Sequence, residues 1–499
     1  MPSHKAPKRP PAKSAVSHPT PPIEANATVP QQQLPKGRTP FLLRGMRDIL
    51  PGDRKYWVAI ESLATTLAQQ YGFERLDPPL LESTSLFVRS IGEYTDVVEK
   101  EMFTLHDRSG DSMSLRPEAT AGIVRAFIEH GMLNLPQPVK LWTLGPMFRY
   151  DRPQAGRQRQ FHQFDYEVIG DMHPVIDAQM ILLAYTLLTE LGLDVTIQVN
   201  SLGDPESRKE YLKKLTEYFR SKRKDLTEEQ RERLKRNPLR LLDTSDDAFR
   251  ELTADAPQMV DHLSDEARKH FIAVLEHLDA LDVPYELNPR LVRGLDYYTR
   301  TTFEIWETQG DGAGQSALLG GGRYDRLVGL LGGRPTPAIG FAGGIERIIN
   351  ALKAKGVAVP ELPRPDLFVA QLGDAARKKA LKLFELLRHE HFTIAENLSK
   401  DSLKTQLGNA SRVGAVYALI LGQKEILDGT VLIRDMESGI QETVSYDRIV
   451  VEMRKRIAQR ANHQQPPVRI VDDTASAQTH VGTDGPEPPL PIVGEEPEE

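Results

Sequence analysis

Arginine is concentrated in the stretch GPMFRYDRPQAGRQRQFHQFDYEVIG, residues 145–170, where Arg149, Arg152, Arg157 and Arg159 flank or occupy one polar loop with no acid after Asp151. A guanidinium presents a planar fork of donors that matches phosphate or carboxylate through paired hydrogen bonds. Four of them around one hairpin suit an anionic ligand; a solvated basic hairpin is the alternative. A second stretch, LVRGLDYYTRTTFEIW at 291–306, places Arg293, Asp296, Tyr297, Tyr298 and Arg300 between strand-like segments. If that chain is extended, adjacent tyrosines point to opposite faces, so at most one faces a site and the other is core. A third, LGGGRYDRL at 319–327, permits a tight turn beside Arg323 and Tyr324. In AIGFAGGIERIINAL, 338–352, a strand and a glycine turn open onto a helix, with Arg347 near its start, where amides and guanidinium can both meet phosphate. The alternative there is a surface arginine paired with Glu346. Upstream, SLRPEATAGIVRAF at 114–127 sets Glu118 and Thr120 before a helix through Ile123, Val124 and Phe127. Thr120 could serve simply as its N-cap and Glu118 as a helix-start acid.

These residues need elements to hold them. Apolar side chains at Tyr56, Trp57, Ile60, Leu63, Ala64, Leu67, Ala68 and Tyr71 follow the three-and-four spacing of an amphipathic helix. Residues 139–150 and 161–170 read as strands, 171–192 as a helix ended by Gly192, and 194–199, 284–292, 301–307 and 317–320 as strands. Between them, 205–282 is charged and mostly helical, an inserted unit. Three prolines and a glycine in 353–365 suggest an interdomain linker. Residues 366–460 then alternate strand and helix, with a hairpin expected through Asp428-Gly429, as in a small α/β domain with a mixed sheet.

Composition limits the rest. The 499 residues allow two or three domains, and 39 % hydrophobic with 27 % charged content suits a soluble globular chain. No apolar run is long enough to span a membrane. The formal net charge of −7 hides opposite ends: residues 1–40 carry six bases against Glu24, and 470–499 carry eight acids without Lys or Arg. Residues 1–40 and 461–499 are poor in apolar side chains and read as disordered extensions. With no cysteine there can be no disulfide, thiolate zinc site or cysteine nucleophile. The basic N-terminus lacks a secretory apolar stretch. A cytoplasmic location is expected, with an organellar address left open.

Taken in order, the stretches resemble histidyl-tRNA synthetases, a class II aminoacyl-tRNA synthetase family, over nearly all of 41–460. RGMRDILP at 44–51 is similar to the family's opening segment, RPEATA to its RPEGTA with Ala119 at the usual glycine, and MFRYDRPQAGRQRQFHQ to motif 2. LVRGLDYY and GGGRYD resemble the two histidine-specific segments, and GFAGGIERI motif 3. The resemblance implies an α+β catalytic domain over 41–352, built on an antiparallel sheet with the helical insertion. It implies an anticodon-binding domain at 366–460 and a homodimer formed partly through 41–100. The implied reaction joins L-histidine to tRNA(His) at the expense of ATP, with Mg²⁺ and no zinc. Arg149 and Arg293 are implied as the catalytic cations, with Arg149, Arg157 and Arg347 on ATP. Glu118, Ala119, Thr120, Gln163, Glu167, Arg293, Tyr297 and Tyr298 are implied around histidine. The Ala119 position would be strained if it required positive φ. Two rivals are a synthetase-like regulator of histidine biosynthesis, which would lack the anticodon-binding part, and a class II enzyme for another amino acid such as proline, threonine or glycine.

Overall fold

The computed structural model describes residues 41–151, 157–242, 247–308 and 317–464. Arg152, residues 1–40 and residues 465–499 lie outside them. The chain forms two compact units, one through Pro360 and one from Glu361.

The first unit is built on an eight-stranded sheet. Its order runs Glu74–Arg75, Val139–Phe148, Gln160–Ile169, Ala338–Gly344, Leu319–Arg323, Thr299–Glu307, Val195–Ser201, Tyr285–Leu287. The six central strands pair antiparallel and each edge strand pairs parallel. Two long helices cover one face. Arg54–Gln70 buries Trp57, Ile60, Ala64, Leu67 and Ala68, the spacing read from the sequence, and the largely apolar Pro174–Glu190 is buried along much of its length. Phe164, Tyr166 and Val168 point into that core, where the Tyr166 ring stacks on Phe341 at 5.1 Å. Alternation then forces Gln163, Asp165 and Glu167 onto the opposite face. Part of the insertion is a helix, Asp265–Ala280, which packs on Pro174–Glu190.

The glycines of LGGGRYD lie within the strand Leu319–Arg323, and the turn follows it at Asp325 and Arg326. These glycines make room between close-packed strands, as shown below. The strand ends on Arg323, a fully buried cation that donates to Asp177 Oδ1 at 2.7 Å and to the carbonyl of Asp171 at 3.0 Å. His270 Nε2 donates to the other Asp177 oxygen at 2.9 Å, so one buried carboxylate ties insertion, helix and sheet together. Arg323→Ala strands the Asp177 charge in the core and should cost about 3–5 kcal/mol, the usual penalty for breaking a buried pair. Urea unfolding measures it; a loss under 1 kcal/mol, on the order of a surface pair, would mean the cluster contributes little.

The second unit has a mixed five-stranded sheet ordered Ile394–Glu396, Leu367–Gln371, Tyr417–Leu421, Thr430–Asp435, Gln441–Ser445. Helices Asp374–His389, Leu403–Arg412 and Ile449–Gln464 accompany it. Asp428-Gly429 does not turn a hairpin. It closes a short helix, Gln423–Asp428, with Gly429 in the left-handed C-cap conformation at φ 66°, and the hairpin lies one strand later. The last helix continues to Gln464, past the end at 460 expected for it.

Candidate active site

Cross-strand register explains where the open face of the large sheet becomes a trough. Glu167 pairs with Gly340, which pairs with Gly322; Asp165 pairs with Ala342, which pairs with Gly320 and then Glu304; Gln163 pairs with Gly344. Directly paired residues share a face. A wall of Gln163, Asp165 and Glu167 therefore looks across a floor of glycine and alanine toward Glu304. The floor has to be bare. A Cβ on Gly340 would lie 1.5 Å from Glu167 Oε2, and one on Gly320 2.5 Å from Arg293 Nη1.

Glu167, 1 % exposed, is held from both sides: Thr120 Oγ1 donates to one carboxylate oxygen at 2.6 Å and the Tyr324 hydroxyl to the other at 2.5 Å. Burial drives its pKa well above the ordinary carboxyl value, with Asp165 and Glu118 adding repulsion against the two hydroxyl bonds. Thr120 is thus not the N-cap. The helix Thr120–Glu129 begins at it, and Glu118 serves the helix start by accepting from the Thr120 and Ala121 amides at 2.8 and 2.9 Å. Glu118 is also buried, and burial raises its pKa despite those bonds. Ala119 takes φ −99°, so alanine costs nothing there.

The segment carrying Arg293, Tyr297 and Tyr298 is a series of turns rather than a strand, and the expectation that the two tyrosines face apart fails for that reason. Their rings lie 4.7 Å apart, both 6 % exposed, and Tyr297 also meets the Tyr324 ring edge-on at 5.6 Å. Burial raises the pKa of all three phenols, and the charge of Glu167 adds to the shift of each. They stay neutral donors at physiological pH. The insertion braces this segment: Arg208 donates to the Tyr298 carbonyl at 3.1 Å, Asn237 to Asp296 Oδ1 at 2.9 Å, and Arg240 to the Gly294 carbonyl.

Four arginines gather at the other end. Arg293 pairs with Glu304 and lies over the Tyr298 ring at 5.4 Å. Burial works against its charge, but Tyr298 and Glu304 outweigh that and raise its pKa. Arg149, anchored by a 2.9 Å bond from Nε to the Pro117 carbonyl, lies over Phe161. Arg157, half exposed, pairs with Asp151 at 3.2 Å. Arg347 donates to the Ala317 carbonyl at 2.8 Å. Its pKa is lowered, first by burial and then by the like charges of Arg149, Arg157 and Arg293 against the opposing pull of Glu304, which places those three arginines within electrostatic reach of Arg347. Arg347 does not pair with Glu346, whose carboxylate accepts from the His162 amide and ring. Arg159 stacks on Tyr150 at 3.8 Å instead of joining the cluster.

The site thus has a cationic end that can bind and stabilise a polyanion, and an end of buried carboxyls and phenols that can match a ring with polar nitrogens. Two members were not singled out from sequence. Asp165 has a readable signal, since it shares a strand face with Gln163 and Glu167. Glu304 has none, because it reaches the site only through strand pairing. Tyr324 stands beside the glycine triplet in the sequence, but its bond to Glu167 is set only by the fold.

Residues 45–348 match the family model for histidyl-tRNA synthetase, and 366–456 that for an anticodon binding domain. A histidine–tRNA ligase of Dehalococcoides mccartyi is 44 % identical over 83 % of this chain and 99 % of its own length. That of Thermosipho melanesiensis is 45 % identical over 83 % and 98 %. The solved structure of apo histidyl-tRNA synthetase from S. aureus superposes with a TM-score of 0.71 at 36 % identity, covering 83 % of this chain and 100 % of that one.

Proposed function

The chain belongs to the histidyl-tRNA synthetase family, and from that premise we propose that it activates L-histidine with ATP and transfers the histidyl group to tRNA(His). In the first step a carboxylate oxygen of histidine attacks the α-phosphorus as the bond to pyrophosphate breaks. A carboxylate is already a nucleophile at neutral pH, so no general base is needed, and positioning carries much of the rate. Charge builds up at the α-phosphate during the attack. Fixed cations aimed there stabilise the transition state without reorganising. Arg149 and Arg293 take that role in this reading, with Arg347 and Arg157 on the ATP tail.

Mg²⁺ would supply further charge neutralisation on the phosphates. Among the described residues no group of three His, Asp or Glu side chains could hold a metal ion. At the other end, Glu167 and Tyr298 would match the imidazole nitrogens with Tyr297 lining the same pocket, while Glu118, Thr120 and Gln163 would bind the α-amino group. In the second step the 3′-terminal ribose of tRNA takes the histidyl group. The 366–460 unit would grip the anticodon, and the 205–282 insertion would lie near the acceptor arm.

What supports the reading most is the convergence of Arg149, Arg157, Arg293 and Arg347, from three distant stretches, beside a buried carboxyl–phenol cluster. A homodimer belongs to the same reading: Phe41, Leu42, Leu43 and Leu50 are exposed apolar side chains that such an interface would cover. The cytoplasm, where ATP and tRNA are at hand, is the proposed location. No helix among the described residues is long and apolar enough to cross a membrane. ATP–pyrophosphate exchange with each amino acid tests the activity. Exchange with histidine alone is expected; exchange with another amino acid instead, or none with histidine, rejects it.

A further inference from the structure

We propose that Asp165 is a substrate-binding residue: its carboxylate, together with the Gln163 side-chain oxygen, receives the α-ammonium group of the amino acid. The inference rests on the histidine-activating reading above and concerns a residue that reading does not use. It comes from accounting for the buried acceptors. Each oxygen of Glu167 already accepts one hydroxyl bond and each of Glu118 one backbone amide, which leaves one lone pair apiece. Asp165 differs. It is 1 % exposed, and neither carboxylate oxygen has a hydrogen-bond partner among the described residues. The Gln163 Oε1 atom, two residues along the same strand face, is likewise buried without a partner.

An unpaired buried carboxylate is costly, and a cationic donor placed beside it removes that cost. The nearby Arg116 does not fill the role. Its Nε and Nη1 donate to the Pro146 and Pro78 carbonyls, and no bond joins it to Asp165. Burial first, and then the charge of Glu118, push the Asp165 carboxyl up to about 8, against the pull of Arg116 and Arg149. An arriving ammonium, with three donors, would draw it into the charged form. Of the donors on free histidine, only the ammonium group carries a full charge and three N–H bonds at neutral pH; the imidazole is assigned to Glu167 and the tyrosines.

Three ligands separate this role from a structural one. Histidine carries ring, carboxylate and ammonium; histidinol lacks the carboxylate; imidazolepropionate lacks the ammonium. Their affinities for the full-length protein and for Asp165→Asn are measured by calorimetry, or by competition in the exchange assay. Histidine and histidinol should weaken roughly tenfold or more in the variant, as expected for loss of a charge-assisted bond. Imidazolepropionate should change less than about twofold on the same scale, and that ligand doubles as a check on folding. Where the amide variant does not fold, Asp165→Ala is measured in the same way. Equal weakening of all three ligands would make Asp165 a structural residue and overturn the proposal, as would unchanged histidine affinity. Parent protein that fails to bind histidine overturns the underlying reading instead.

Discussion

Arg293→Ala should lower ATP–pyrophosphate exchange by about a hundred- to a thousandfold, the usual cost of removing one preorganised donor from a developing negative charge. The side chain is preorganised in three ways. Glu304 binds one Nη, the Tyr298 ring lies under the guanidinium, and the missing Cβ of Gly320 leaves the space it occupies. Both side chains of the Arg293–Glu304 pair keep 17 % exposure, so losing the pair costs less than breaking a fully buried one. The variant should therefore melt near the parent temperature while losing turnover. Arg293→Lys keeps the charge but not the planar fork, and should recover only part of the loss. Near-normal exchange by the alanine variant would remove Arg293 from the reaction.

Glu167→Ala should act on one substrate only. The carboxyl sits between the Thr120 and Tyr324 hydroxyls, over the bare backbone of Gly340. Its removal leaves two buried donors unpaired and takes away the acceptor that a ring N–H would meet. Sites that hydrogen-bond a substrate group discriminate by roughly 10⁴–10⁵ against analogues without it. A substantial share of that should be lost: the KM for histidine should rise about a hundredfold or more, with the KM for ATP within a few-fold. Steady-state exchange kinetics separate the two. Equal losses for histidine and ATP would place Glu167 outside the amino-acid pocket.

Much of the architecture is legible in the order of residues because it rests on local periods. The helix Arg54–Gln70 and the paired strands Val139–Phe148 and Gln160–Ile169 follow from three-and-four and two-residue spacings, which neighbours along the chain set for themselves. Local rules mislead where a residue has more than one use. Asp428-Gly429 has hairpin chemistry, yet the same left-handed glycine ends a helix equally well. Gly320–Gly322 has turn chemistry, but the strand places those glycines where Arg293, Phe341 and the backbone of the neighbouring strands need volume. The Tyr297–Tyr298 argument assumes an extended chain, whereas the segment forms bends and turns held by the insertion's hydrogen bonds.

The quoted motifs point by resemblance to the family and its α+β catalytic plan; residue type and spacing by themselves determine the two-part division of the chain and the guanidinium-rich stretches that suit an anion. They do so because helix and strand periods, and the preferences of arginine, glycine and proline, act over a few residues. Only the tertiary structure decides which of those guanidiniums share one space, that Tyr324 donates to a carboxyl 157 positions away, and that Asp165 is buried with its oxygens unpaired. Such facts depend on register between strands far apart in the chain. Register is settled by the packing of the whole sheet, which no short window of sequence contains.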